Sequence, residues 1–147
     1  MQGSGKKGTV SAFFTYWEGT QDLPWTKWRW NEIDVELVPS IEENPFATNI
    51  IYSGRQMDPM KIENFDPADD WHTYEIQWTP NYISWALDGR QVRKVQGTAS
   101  VRDITKAKAL FMDFWTPTFA GWGDNMDDDA TMPWYTRYDW VEVYDYN

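Results

Sequence analysis

The sequence predicts an all-β protein, a two-sheet sandwich, from three observations. Runs of β-branched and aromatic residues alternate with a period of two, the pairs Pro80-Asn81 and Asp88-Gly89 punctuate them as turns, and no segment of any length carries a helical period. The chain has 147 residues, enough for one domain, 1–147, with a core of its own.

In order, the loop Gly3 to Gly8 leads into a first strand, Thr9 to Trp17. Alternation puts Ala12, Phe14 and Tyr16 on one face, where Tyr16 either projects toward a ligand or packs on the sheet. Residues 18–29 read as a loop. Trp30 to Leu37 reads as a strand ended by Pro39, and Ala47 to Ser53 as a strand with Asn49 near a polar face. Arg55 to Asp70, with two prolines and many acids, predicts a surface loop. Trp71 to Thr79, Tyr82 to Leu87 and Gln91 to Gln96 predict three strands joined by tight turns, since Asp-Gly favours the backbone twist of a hairpin. His72 alternates with Tyr74, Ile76 and Trp78, which favours a packed, hydrogen-bonded core histidine over an active-site one.

Residues 97–107 read as about one helical turn and Lys108 to Trp115 as a strand. Thr116 to Trp134 reads as a long loop carrying Trp122 and the run Asp127-Asp128-Asp129. That run matches no calcium-loop spacing and reads as a solvated acidic tip. Tyr135 to Tyr146 predicts a final strand, from the alternation in Trp140-Val141-Glu142-Val143-Tyr144.

The composition narrows the partners. A net charge of −10 offers no basic stripe for nucleic acid or an anionic membrane. With no cysteine there is neither a disulfide nor a thiolate metal site, and one histidine makes no histidine metal cluster. No stretch reads as a signal peptide or a membrane span. Eleven tryptophans exceed what such a core needs, and flat aromatic faces in excess suit a concave surface that meets sugar rings.

Around Trp30-Asn31-Glu32-Ile33-Asp34-Val35-Glu36-Leu37 the pattern is sharpest. One strand face takes Ile33, Val35 and Leu37; the other takes Trp30, Glu32, Asp34 and Glu36. Glu32 and Glu36 have α-carbons about 13 Å apart along a straight strand. Long side chains leaning together would close their carboxylates toward the ~5–5.5 Å used by retaining glycosidases. Asp34 between them would share a proton and split the two titrations. A solvated acidic strand face is the alternative that these residues alone leave open.

Beyond that pattern, Trp30 to Glu36, His72-Thr73-Tyr74, Trp78-Thr79-Pro80-Asn81-Tyr82, Asp88-Gly89 and Tyr138-Asp139-Trp140-Val141 together resemble glycoside hydrolase family 16, nearest to the bacterial 1,3-1,4-β-glucanases (lichenases). The similarity runs in order from about Gly8 to Tyr146. It implies a β-sandwich of jelly-roll type with a concave glycan-binding cleft, and an endo-β-glucanase that hydrolyses lichenan-type β-1,3-1,4-glucan with retention of anomeric configuration. By the same resemblance Glu32 is the nucleophile, Glu36 the acid/base and Asp34 the helper. Tyr16, Trp30, Asn49, Trp115 and Trp122 stand where relatives contact sugar, with Phe14 a weaker case.

The single residue between Asp34 and Glu36 favours lichenase-like or xyloglucan-type activity over the bulged form of laminarinases. Ile51 and Asp113 depart from the tyrosine and asparagine usual in lichenases. The resemblance implies no catalytic cofactor. It does imply a structural calcium, for which Asp139 matches one expected ligand while the N-terminal ligands have no counterpart. It implies secretion as well. Relative to the family the chain starts several strands in, so the expectation is a domain truncated at its N-terminus. Homodimerisation, strand exchange or another chain would then replace the missing strands. Alternatives are a non-catalytic glycan-binding sandwich, or action on β-1,3-glucan or xyloglucan.

Overall fold

The computed structural model describes residues 1–19, 30–41, 45–53, 55–62, 65–106, 108–123 and 133–145. The loop predicted at 18–29 falls almost wholly outside them, as does the acidic run 127–129. Eight strands and one short helix follow in order among the described residues: β1 (Val10–Trp17), β2 (Asn31–Leu37), β3 (Phe46–Tyr52), β4 (Arg55–Ile62), β5 (Tyr74–Trp78), β6 (Tyr82–Leu87), β7 (Arg90–Gln96), α1 (Ala99–Asp103) and β8 (Ala109–Trp115). No helix among them is long and apolar enough to cross a membrane.

All the strand pairings are antiparallel. One sheet has the order β4-β3-β2-β1-β8 and the other β5-β6-β7. The central strand of the larger sheet is β2, and its apolar face fills the space between the sheets. Ile33, Val35 and Leu37 are fully buried there with Phe46 and Ile50 of β3, Ile83, Trp85 and Leu87 of β6, and Val101 and Ile104 from the helical turn. Apolar burial of this kind contributes about 25 cal/mol per Å² removed from water. The two layers are also stitched by polar contacts. The Trp85 indole N–H donates to the Asp34 carbonyl at 2.9 Å. Arg93 of β7 donates to the Thr48 carbonyl and hydroxyl, both at 2.9 Å, and lies over the Trp85 ring.

The hairpins form where the turn chemistry predicts. Asp88 and Gly89 both have positive φ, 51° and 74°, as a two-residue turn between β6 and β7 requires. The single helical turn is also present, capped by the Thr98 hydroxyl accepting from the Val101 amide.

Two expectations fail. Part of the segment 55–70 predicted as loop is the edge strand β4. Its register against β3 shifts between Thr48 and Ile50, opposite Met60 and Met57. Asp58 and Pro59 fall at that irregularity, and an edge strand tolerates the missing proline N–H. The final strand predicted from Tyr135 is absent over the described residues to 145, apart from one bridge between Arg137 and Gln2. Its alternation is real, but no strand among the described residues pairs with it, and Trp140, Val143 and Tyr144 are exposed.

His72 is packed and hydrogen-bonded, as expected. Its Nδ1 lies 2.8 Å from Asp88 Oδ2 and its ring meets Phe65 edge-on at 4.6 Å, at the margin of the core.

Candidate active site

Pairing register decides which residues share the open face of the larger sheet. Glu32, Asp34 and Glu36 on β2 stand beside Tyr16, Phe14 and Ala12 on β1, and beside Ile51, Asn49 and Ala47 on β3. On the far side of β1, Tyr16, Phe14, Ala12 and Val10 stand beside Ala109, Phe111, Asp113 and Trp115 of β8. The three β2 carboxylates therefore run along the middle of one face, flanked by aromatics. Asp34 is buried at 3% exposure, while Glu32 and Glu36 are only partly buried.

Electrostatics separates the three. Burial raises Glu32, but the Trp30 indole, whose Nε1 donates to Oε2 at 3.2 Å, a hydrogen bond with Asp34 and the Lys108 charge all counter that rise. Lys108 itself falls to about 8 through burial, partly offset by Glu32 and Asp34, and its Nζ donates to the Asn31 carbonyl at 2.7 Å. Asp34 is pushed well above the ordinary carboxylate range by desolvation and by Glu32 and Glu36 on either side. A protonated Asp34 is a donor to Glu32 and leaves that group's negative charge in place. Glu36 rises to about 7, first from burial, then from the charges of Glu32 and Asp113. The row can thus hold one carboxylate ionised and another protonated at the same pH.

The predicted sugar-contacting residues divide into two ends. Trp30 and Tyr16 stand at the Glu32 end. Toward Glu36, Trp115 stacks obliquely on Phe119, 6.1 Å between centroids, and Phe119 on Trp122 at 5.5 Å. The loop carrying Trp122 is tied down: the Gly8 amide donates to the Ser40 hydroxyl, which donates to the Trp122 carbonyl at 2.9 Å. Gly123 closes this turn where a Cβ would meet the Pro117 carbonyl oxygen at 1.9 Å. Phe14 stacks on Phe111 at 5.4 Å. Asn49 is beside Asp34 but buried, its Oδ1 accepting from the Ile50 amide.

Phe111, Phe119, Lys108 and Asp113 were not among the predicted site residues. Phe111 and Asp113 alternate with Trp115 and could have been found by extending the period of β8. Phe119 and Lys108 carry no such signal.

Among the described residues no group of three or more His, Cys, Asp or Glu that could hold an ion is found, and the Asp139 carboxylate lies near the Met1 amino group.

The profile of glycosyl hydrolases family 16 matches residues 1–142. The chain is 34% identical to a beta-glucanase of Fibrobacter succinogenes over 99% of this chain and 42% of that protein. It is 29% identical to a beta-glucanase of Bacillus subtilis over 96% of this chain and 54% of that one. Among solved structures, a prokaryotic beta-1,3-1,4-glucanase (lichenase) derived from a mouse hindgut metagenome superposes with a TM-score of 0.65 at 26% identity, covering 86% of this chain and 56% of that chain. The fold is accordingly a β-sandwich of jelly-roll type, and the chain spans about half the length of the relatives it matches.

Proposed function

Because the chain belongs to glycosyl hydrolase family 16, we propose that it is an endo-β-glucanase that cleaves β-1,3-1,4-glucan with retention, using Glu32, Asp34 and Glu36. Glu36 gives its proton to the glycosidic oxygen as Glu32 attacks the anomeric carbon. Glu36 then takes a proton from the water that releases the glycosyl-enzyme. Protonated Asp34 donates a hydrogen bond to the Glu32 carboxylate, and that bond weakens as Glu32 loses its charge on bonding to the sugar. Tyr16 and Trp30 at one end, and Trp115 and Trp122 at the other, stack on successive sugars, with Phe14 and Asn49 shaping the middle.

The observation that carries this reading is the unequal environment of the two raised glutamates on one open face. Glu32 receives hydrogen bonds, while Glu36 is raised to about 7. The names of the relatives supply the substrate class. A glucan polymer is an extracellular substrate, so on this reading the chain works outside the cell. No catalytic cofactor enters the scheme, and a structural calcium at Asp139 would need oxygen ligands beyond acidic side chains, such as backbone carbonyls.

The test is reducing-sugar release from lichenan, with barley β-glucan, laminarin and xyloglucan alongside to fix the linkage. Proton NMR of the first product would report the anomer. Glu32→Gln is expected to abolish release while the chain still binds glucan, and unchanged turnover would remove the mechanism. A non-catalytic glycan-binding sandwich would bind equally well with or without Glu32.

We further propose that a second copy or an exchanged strand covers the side of β8 facing away from the cleft. Leu110, Met112 and Phe114 lie there exposed, and Trp140 and Val143 of the segment after Tyr135 are exposed as well. Light scattering is expected to give a dimer, and a stable monomer would refute this pairing.

A further inference from the structure

Asp113 is a fourth carboxylate on the open face, and none of the three assigned roles uses it. Register aligns Glu36 of β2, Ala12 of β1 and Asp113 of β8 in one row across the sheet. Ala12 is the smallest side chain on its stretch of β1, so nothing bulky separates the two acids. Asp113 Oδ1 is buried without a hydrogen-bond partner, and burial raises Asp113 itself; the Tyr138 hydroxyl donates to the Ala12 carbonyl at 2.6 Å and lies 3.0 Å from the Asp113 carbonyl, not on the carboxylate.

We propose that Asp113 is a positioning residue of the catalytic row, whose negative charge, two strands from Glu36 across the Ala12 methyl, holds on Glu36 the proton it delivers. The inference rests on Glu36 being the acid/base, and it deepens that assignment.

Among the described residues, Glu32 and then Asp113 are the acids whose charges act on Glu36. On its own strand Glu32 and Asp34 are acidic, and Asp34 is the partner of Glu32. Its neighbours across β1 and β3, Ala12 and Ala47, are uncharged. Trp115 and Trp122 beyond it carry no charge. Among the described residues the cation that acts on the row, Lys108, lies at the opposite end on the Asn31 carbonyl, and its charge acts on Glu32 and Asp34. Lys108 thus offsets the acids at the nucleophile's end, where Asp113 is the last and smallest of the causes acting on Glu32, while no cation offsets them at Glu36 among the described residues. Asp113 does raise Glu36, after burial and Glu32.

Asp113→Asn keeps the shape and removes the charge. The basic limb of kcat/KM against pH on lichenan is expected to move down by roughly 0.5–1 pH unit, as a charge two strands away in a partly screened site would produce. The acid limb should move less. A loss of rate at every pH with both limbs in place would show a merely structural role and overturn the proposal.

A second reading does not need turnover. In the full chain labelled with δ-13C glutamate, the Glu36 carboxyl resonance, assigned by its absence in Glu36→Gln, is expected to titrate at lower pH in Asp113→Asn. Asp113→Ser should repeat the shift if the asparagine variant misfolds. An unmoved Glu36 midpoint in a folded variant overturns the proposal. A moved midpoint in a chain that hydrolyses no glucan sustains the coupling while the glucanase reading fails.

Discussion

The two faces of β2 are made from alternate residues of one seven-residue strand, yet they are opposite materials. Ile33, Val35 and Leu37 are dry and fully buried against Trp85 and Phe46. Glu32, Asp34 and Glu36 stand on the other side, each with a carboxyl raised above its ordinary value. Like charges on alternate residues of a free strand would splay apart into water. They are held together because the hydrocarbon face fixes the backbone, and because the Trp85 indole from the second sheet grips the Asp34 carbonyl. One face stores electrostatic strain, and the other supplies the rigidity that makes the strain usable.

Breaking the charged face has the largest expected effect. Glu32→Gln should lower kcat on lichenan by at least about 10³-fold, since on the proposed mechanism it removes the attacking group, and the unfolding midpoint should not fall. Glucan retention on an affinity gel should persist, because the stacking aromatics are untouched. A variant that loses binding along with turnover would mean that the charged face also holds the fold of the cleft.

Breaking the apolar face comes next. Trp85→Phe removes the hydrogen bond to Asp34, reduces the surface beneath Arg93 and leaves a gap in a fully buried site. Urea unfolding should show a loss of about 3 kcal/mol. If the two faces are coupled as argued, kcat of the folded fraction falls too, although residue 85 never touches sugar. Full activity per folded molecule would uncouple them.

How much of this was legible in the sequence depended on whether a segment's partner was local. The hairpin β6–β7 was legible from Asp88-Gly89 because a two-residue turn fixes the pairs next to it, Leu87 with Arg90 and Ala86 with Gln91, before the register shifts at Trp85. The acidic face of β2 was legible because a period of two needs no knowledge of neighbours. Strand β4 was missed since Pro59 argues against a strand unless one knows that it lies on an edge beside a bulge. The segment from Tyr135 was misread in the other direction: its alternation meets the local condition for a strand, but a ladder needs a second strand, and none pairs with it among the described residues. Asp113 and Phe111 alternate with Trp115 along β8, and the pairing of β1 with β8 sets which β1 residue each stands beside.

The smallest effect tests the strain directly. In the unfolded chain Glu36 gives up its proton near its ordinary 4.5; in the folded chain it keeps it until about 7. Between those values the folded state binds more protons, so stability must fall as pH rises through that window, with the full deficit present above about 7. Glu36→Gln cannot ionise and escapes this deficit. The variant should therefore match the parent below about pH 4.5 and exceed it by about 2 kcal/mol above pH 7, once the shift is discounted for partial solvent access. Glu32 and Asp34 are raised as well, so some decline with pH should survive in the variant. Thermal unfolding of both chains from pH 4 to 8 measures the difference. Parallel curves would mean that the acidic face carries no strain, and that the contrast with the apolar face is one of polarity alone.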